Sequence, residues 1–118
     1  MALKDELGRR GEECAAQFLA GAGYRVIARN WRCGQGEVDL IVERDGEVVF
    51  VEVKTRSNKN FGHPFEAITA PKLARLRRLA AAWCDQTDAR PRRIRIDAIA
   101  VIAESGAEPV IEHLEGVF

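Results

Sequence analysis

Asp39, Glu52 and Lys54 are the residues of this chain whose types and spacing could do chemistry. They stand in Gly36-Glu37-Val38-Asp39-Leu40-Ile41 and Val51-Glu52-Val53-Lys54. Two apolar, β-branched runs carry them, Val38 to Val42 and Val48 to Val53. Asp45-Gly46 between the runs is a strong signal for a two-residue hairpin turn. With that turn, Arg44 pairs with Glu47, Val42 with Val49, Leu40 with Val51, Asp39 with Glu52, and Glu37 with Lys54. Directly opposed side chains lie about 4.5–5.5 Å apart at Cβ, where like charges destabilise. Two facing carboxylates need a counter-charge, and a divalent cation is the simplest one.

Strand parity groups Glu37, Asp39, Ile41 and Glu43 with Phe50, Glu52, Lys54 and Arg56 on one hairpin face. Val49, Val51 and Val53 take the other. A slip of one residue would separate the charges, so the constellation depends on the turn. Two carboxylates and a backbone carbonyl, such as that of Val53, suit Mg²⁺ or Mn²⁺, hard cations that take oxygen ligands and keep several waters. Such an ion polarises a phosphate oxygen and acidifies a bound water. Lys54, two residues after Glu52, can orient the attacking water or neutralise charge developing on phosphorus. The structural alternative is an ion-pair ladder of Glu37 with Lys54 and of Asp39 with Arg56 or a helix residue. In the first helix Glu12 lies at the rim of the apolar stripe and Glu13 on the solvent face, so Glu12 is the candidate third acid.

The elements that must position these groups follow from periodicity. Leu7, Gly11, Cys14, Ala15, Phe18, Leu19 and Ala22 form one helical face over about Leu3 to Ala20, ended by Gly21 and Gly23. Tyr24 to Arg29 reads as a strand and Asn30 to Gly36 as a polar loop. The hairpin strands are Glu37 to Glu43 and Glu47 to Thr55. Residues 56–70 read as a long basic loop with Arg56, Lys59, Phe61, Gly62, His63 and Pro64. Thr69 can cap a second helix with Pro71 in its first turn; its buried stripe is Leu73, Leu76, Leu79, Ala80, Trp83 and Cys84, while Lys72, Arg75, Arg77 and Arg78 project elsewhere. Ile94 to Ile102 is a long strand, and Val110 to Leu114 a short one. The order is α-β-β-β-α-β, an α/β fold with a mixed sheet flanked by helices.

The chain has 118 residues, 47% of them hydrophobic and 31% charged, as in an ordinary globular domain, and residues 1–118 are expected to form one. No apolar run approaches the roughly 20 residues of a membrane span. The charged N-terminus lacks the apolar core of a signal peptide, which implies a cytoplasmic protein. Cys14, Cys33 and Cys84 form no Cys-x-x-Cys, and His63 and His113 are the two histidines, so neither a disulfide framework nor a zinc ribbon is supported. Cys14 and Cys84 read as small buried residues.

A net charge of zero hides a segregation. Residues 1–52 carry 7 basic and 10 acidic side chains, residues 53–96 carry 11 and 3, and residues 97–118 carry 5 acidic and no basic ones. The basic middle implies a face that meets a polyanion. Arg56, Lys59, Lys72 and Arg75 are the candidate nucleic-acid contacts; a solvated helix face with a basic loop is the plainer reading. Asp97 in an apolar strand needs a partner, and a structural role suits it better than a catalytic one. His63 can touch a phosphate, though a plain loop role is simpler. Trp31 and Tyr24 can stack on bases, though core roles are commoner. No P-loop or G-x-G-x-x-G motif is present.

At these residues the chain resembles the YraN family of the PD-(D/E)XK restriction-endonuclease-like superfamily, whose nearest functional relatives are the archaeal Holliday junction resolvases. The resemblance covers nearly the whole chain: Gly11-Glu12 with Ala15 and Ala16, Gly23-Tyr24, Gly36 to Ile41, Val49 to Arg56, Phe61-Gly62, Lys72 and Ile96-Asp97. It implies the restriction-endonuclease-like core, Asp39 and Glu52 as metal-binding acids, Lys54 as the catalytic lysine and Glu12 as the helix-one acid. Val38 stands where the superfamily's motif has proline. The function implied is metal-dependent hydrolysis of DNA, including branched or structured DNA, and a homodimer suits a resolvase that needs two active sites. A nuclease-like fold that binds nucleic acid without turnover is the alternative, and a protein-interaction domain with no affinity for DNA a third reading.

Overall fold

Asp45 and Gly46 both adopt positive φ, 53° and 79°, as a type I′ turn requires, and the hairpin they close sets the register of the whole sheet. The computed structural model describes residues 5–58, 60 and 62–117. The expected helix start at Leu3, and Lys59 and Phe61, lie outside the described residues. The elements are α1 (Glu6–Gly21), β1 (Arg25–Cys33), β2 (Gly36–Arg44), β3 (Glu47–Arg56), a 3₁₀ turn (Pro64–Ala67), α2 (Ala70–Thr87), β4 (Arg93–Ile102) and β5 (Val110–Leu114). The strands form one sheet in the order β1-β2-β3-β4-β5. The β3–β4 pair is parallel and the other pairs are antiparallel. This is the mixed sheet and the α-β-β-β-α-β order of the restriction-endonuclease-like core. None of the described helices is long and apolar enough to cross a membrane.

The two faces of the sheet carry separate cores. Ala15, Ala16 and Leu19 of α1 pack on Leu40, Val42, Val49, Val51 and Val53. Leu76, Leu79, Ala80 and Trp83 of α2 pack on Val38, Ile41, Val48, Phe50 and Ile96. Asp5 begins α1, its carboxylate accepting the Gly8 N–H at 2.7 Å. Gly21 stays helical, and the left-handed residue after the helix is Gly23 at φ 93°. Thr69 occupies the N-cap position of α2 without a side-chain capping bond. Cys14, Cys33 and Cys84 are free, partly buried thiols packed at the edges of these cores.

The expected polar loop from Asn30 to Gly36 is instead the continuation of β1, paired with β2 as far as Cys33 and Gly36. An edge strand keeps one rim and part of one face in water, so polar residues fit it and obscure it in the sequence. β1 is irregular in two places, a register shift at Ile27 and a positive φ of 52° at Asn30.

The register of β2 and β3 agrees with expectation from Arg44–Glu47 to Leu40–Val51, where the paired ladder ends. The expected ladder pairs of Asp39 with Glu52 and of Glu37 with Lys54 are not part of it. The alternation expected from Glu37 to Glu43 also fails. Val38 packs with Ile41 on the α2 side while Leu40 packs on the α1 side. In a regular strand, residues two apart share a face, so β2 changes phase at Asp39. Asn30 lies opposite, between the Arg29–Leu40 and Trp31–Val38 pairs. The kink in the edge strand and the phase change in β2 meet at one point.

Gly11 lets α1 approach β3. A Cβ there would lie 1.9 Å from Thr55 Oγ1 and 2.7 Å from its Cγ2, closer than any real contact. Gly11→Ala should therefore destabilise the protein by about 1–3 kcal/mol, as overpacking does, read by urea unfolding. The loss should be smaller in a Thr55→Ala background; an equal loss in both backgrounds would place the strain elsewhere.

Candidate active site

Where the β2–β3 ladder stops, the Asp39 carboxylate takes over a backbone role. Hydrogen-bonded pairs alternate along an antiparallel ladder, so Val53 would next exchange bonds with Val38. Instead the Val53 N–H donates to Asp39 Oδ2 at 2.8 Å. A residue's N–H and C=O point to the same side of an extended strand, so the Val53 carbonyl faces the same gap. Beyond Val51, β3 remains paired only to β4, through Lys54–Ala100 to Arg56–Ile102. The sheet thus forks, with Asp39 on one prong and Glu52 and Lys54 on the other.

The fork opens into a cavity of about 380 Å³ lined by Glu12, Glu37, Asp39, Glu52, Val53, Lys54 and Thr55, with Asp5, Leu7 and Gly8 of the α1 end. Glu12 and Asp39 are buried to 8% and 6% exposure, values that ordinary surface acids do not reach. The Gly11–Thr55 contact brings α1 close enough to place Glu12 on this wall. The Asp39 and Glu52 carboxyls hydrogen-bond to each other, and Lys54 Nζ lies 3.5 Å from Glu52 Oε1. Burial and the Asp39 charge push the Glu52 carboxyl up to about 7, against the pull of Lys54. Burial beside the Asp39 charge makes the ionised form of Glu52 costly, so Glu52 holds its proton beyond the usual carboxylate range. Oxygen donors held this way fit a hard divalent cation, which would replace that proton.

The other expected contacts are dispersed around the fork. Glu37 pairs not with Lys54 but with Arg32, whose Nε lies 2.6 Å from Glu37 Oε2. The residue opposite Glu37 across the β1–β2 turn is Arg32, which the loop reading concealed. Glu13 lies on the solvent face and pairs with Arg29 at 2.6 Å; hydrogen bonds from Arg29 and Gln17 hold its carboxyl below the usual range. Arg56 ends β3 and donates to the Thr55 carbonyl at 3.1 Å. Lys72 donates to the Ala67 carbonyl at 2.8 Å, fastening the 3₁₀ turn to α2. Arg75 is exposed, and its side chain lies over the Gly36 backbone at the start of β2. His63 caps the 3₁₀ turn through Phe65 N–H and pairs with Glu112. Tyr24 is buried beside the α1 core, and Trp31 packs against the α2 core.

Asp97 finds several partners at once. Arg95 grips it with two bonds, Nε–Oδ1 at 2.8 Å and Nη2–Oδ2 at 2.9 Å. His113 Nε2 lies 2.7 Å from Oδ2, and the Gly116 N–H donates to Oδ1 at 3.0 Å. Burial alone would raise the Asp97 carboxyl, but the bonds from His113, Arg95 and Gly116 outweigh it and hold it low. Asp97, His113 and Glu115 bring ligand-capable atoms within 4.8 Å of one another among the described residues. Arg95 Nη2 also reaches Glu115 at 3.2 Å, so a permanent guanidinium charge already stands among these groups. The Arg95 partner, two residues back on the same strand face, was open to sequence parity; His113, from the next strand, was not.

The comparisons bear on identity. A family model described as "Uncharacterised protein family UPF0102" matches residues 11–101. A UPF0102 protein of Leifsonia xyli subsp. xyli is 53% identical over 117 residues, covering 99% of both chains. One from Beutenbergia cavernae is 53% identical over 118 residues, again covering 99% of both, and one from Arthrobacter sp. strain FB24 is 49% identical over 117. A solved structure of Pyrococcus furiosus SfsA in complex with Ca²⁺ aligns with a TM-score of 0.39 at 16% identity. The alignment covers 92% of this chain, which spans 62% of that one, a likeness that carries no functional argument.

Two stability measurements test this geometry in metal-free protein. Asp39→Asn keeps an acceptor for Val53 N–H and gives Glu52 a donor, so it should be as stable as wild type or more so. Asp39→Ala strands the N–H and should cost about 1–3 kcal/mol. For Glu52, the folded chain keeps a proton that the unfolded chain has released between pH 4.5 and about 7. The stability from that proton is present below this window and lost as pH rises through it. The melting temperature of Glu52→Gln relative to wild type should therefore climb from pH 5 to pH 8 in EDTA; a flat difference would mean that Glu52 titrates normally.

Proposed function

We propose, on the premise that this chain belongs to the UPF0102 (YraN) family, that it is a divalent-metal-dependent nuclease acting on DNA phosphodiesters. Membership of the PD-(D/E)XK superfamily is consistent with that family. The observation that carries the proposal is the fork itself. Asp39 and Glu52 come from neighbouring strands, hydrogen-bond to each other, and share one cavity with Lys54 and Glu12.

Asp39 and Glu52, with the Val53 carbonyl beside them, would hold Mg²⁺ or Mn²⁺. When bound, the ion lowers the pKa of a water and polarises a phosphate oxygen. The rest falls to the chain's own side chains. Asp39 is fixed by the Val53 N–H, so its carboxylate is aimed rather than mobile. Lys54 is held beside Glu52, and its positive charge can orient the attacking water or offset charge developing on the phosphate. Glu12 faces them from α1 and can accept a proton from the water. In the reaction the water oxygen bonds to phosphorus and the ester oxygen leaves, taking up a proton. Arg56, Lys59, Lys72 and Arg75 are the proposed backbone contacts.

Linear duplex, single-stranded and four-way-junction DNA incubated with Mg²⁺ or Mn²⁺ provide the test. Wild type should cleave at least one of them, EDTA should stop the reaction, and Asp39→Asn should lower the rate by at least about 10²-fold while keeping most of the affinity. Salt-sensitive binding with no cleavage under any of these conditions would identify a non-catalytic nucleic-acid module instead.

A further inference from the structure

We propose that Arg32 forms a phosphate-binding subsite at the mouth of the acidic cavity, held there by Glu37; this rests on the phosphodiester reading above. Among the described residues, the acids Asp5, Glu12, Glu37, Asp39 and Glu52 and the base Lys54 line the cavity. A polyanionic backbone is best received at such an opening by a cation on its rim with donors to spare.

The cations around the fork differ in how they are engaged. Arg9 is tied to Glu6, Arg29 to Glu13 and Lys72 to the Ala67 carbonyl. Arg32 is bonded to a residue that itself lines the cavity. The bond uses Nε alone, at 2.6 Å to Glu37 Oε2. Among the described residues, neither Nη atom of Arg32 has a hydrogen-bond partner. A guanidinium held by its Nε presents its terminal nitrogens as a fork, the geometry that takes a phosphate with two parallel bonds. Arg32 is exposed and Glu37 partly buried, at 38% and 23% of their side chains, so the anchor is fixed and the donors face solvent.

The register places this subsite beside the metal-binding acids. Arg32 pairs with Glu37, and Asp39 lies two residues further along β2, about 7 Å of strand. A phosphate on Arg32 would neighbour the one undergoing hydrolysis, so Arg32 acts on substrate position rather than on the reacting bond. The charge count along the sequence pointed away from it, because Arg32 belongs to the acidic first segment of the chain.

The test measures binding of labelled duplex and single-stranded oligodeoxynucleotides in EDTA across a salt titration, with KM and kcat from the cleavage assay. Arg32→Ala should weaken binding roughly tenfold, lower the salt slope by about one and raise KM more than it lowers kcat. Arg32→Lys should keep the slope. Glu37→Gln leaves the guanidinium in place, so it should bind as tightly as wild type or tighter. Unchanged affinity and slope in Arg32→Ala, with wild type binding and cleaving, would overturn the subsite alone. A loss in Glu37→Gln equal to that in Arg32→Ala would also overturn it, by reducing Arg32 to a structural ion pair. Wild type that neither binds nor cleaves would remove the phosphodiester reading and this subsite with it.

Discussion

The hydrogen bond from Val53 N–H to the Asp39 carboxylate is the constraint on which the site depends. It ends the β2–β3 ladder without leaving a buried donor unpaired, an omission that a folded chain tolerates poorly. It also anchors a carboxylate that is more than nine-tenths buried. Once Asp39 replaces a backbone acceptor, β2 turns by half a step, β3 loses its partner on that side, and Glu52 and Lys54 face an opening rather than a neighbouring strand. The positive φ of Asn30 on the edge strand lies opposite the same step. Local backbone strain of this kind persists where the surrounding structure holds it in place.

Two buried acid clusters stand among the described residues, and their electrostatics differ. At the closed end, Asp97 is bound by Arg95, His113 and the Gly116 N–H, with Arg95 also reaching Glu47 and Glu115. Those bonds fasten β5 and the chain after it to β4, and the Val117 N–H to Ile96 carbonyl bond continues the attachment. At the open end, the Asp39 and Glu52 carboxyls are in contact with one lysine beside them, and Glu52 is pushed up to about 7. One cluster is bound from within by a guanidinium; the other holds a carboxyl raised well above its ordinary range. A strongly raised carboxyl in an open cleft is the mark of a functional site, which makes the fork the functional candidate of the two.

Several features were legible along the chain because they are local. Asp45-Gly46 announced its turn, and the register from Arg44–Glu47 to Leu40–Val51 followed from it. The apolar stripes of both helices and the limits of β5 could be read from periodicity. β1 was read too short because an edge strand tolerates the polar residues that also mark loops. The alternation through Asp39 was read as regular because nothing in the string Gly36 to Ile41 signals a change of phase. Arg32 was missed for the same reason as β1: its partner Glu37 becomes visible only when the strand is seen to continue past Asn30.

By itself the sequence determined the element order, the hairpin register near its turn, and the presence of two acids and a lysine on adjoining strands. Turn chemistry and hydrophobic period act between residues a few positions apart, so they can be read without knowing the fold. Tertiary structure alone decided that the ladder stops at Leu40 and Val51, that Gly11 lets α1 deliver Glu12 to the same cavity, and that Arg95 and His113 neutralise Asp97 while Glu52 keeps a proton. These outcomes depend on packing distance and desolvation among segments far apart in the chain, and a one-dimensional pattern holds neither quantity.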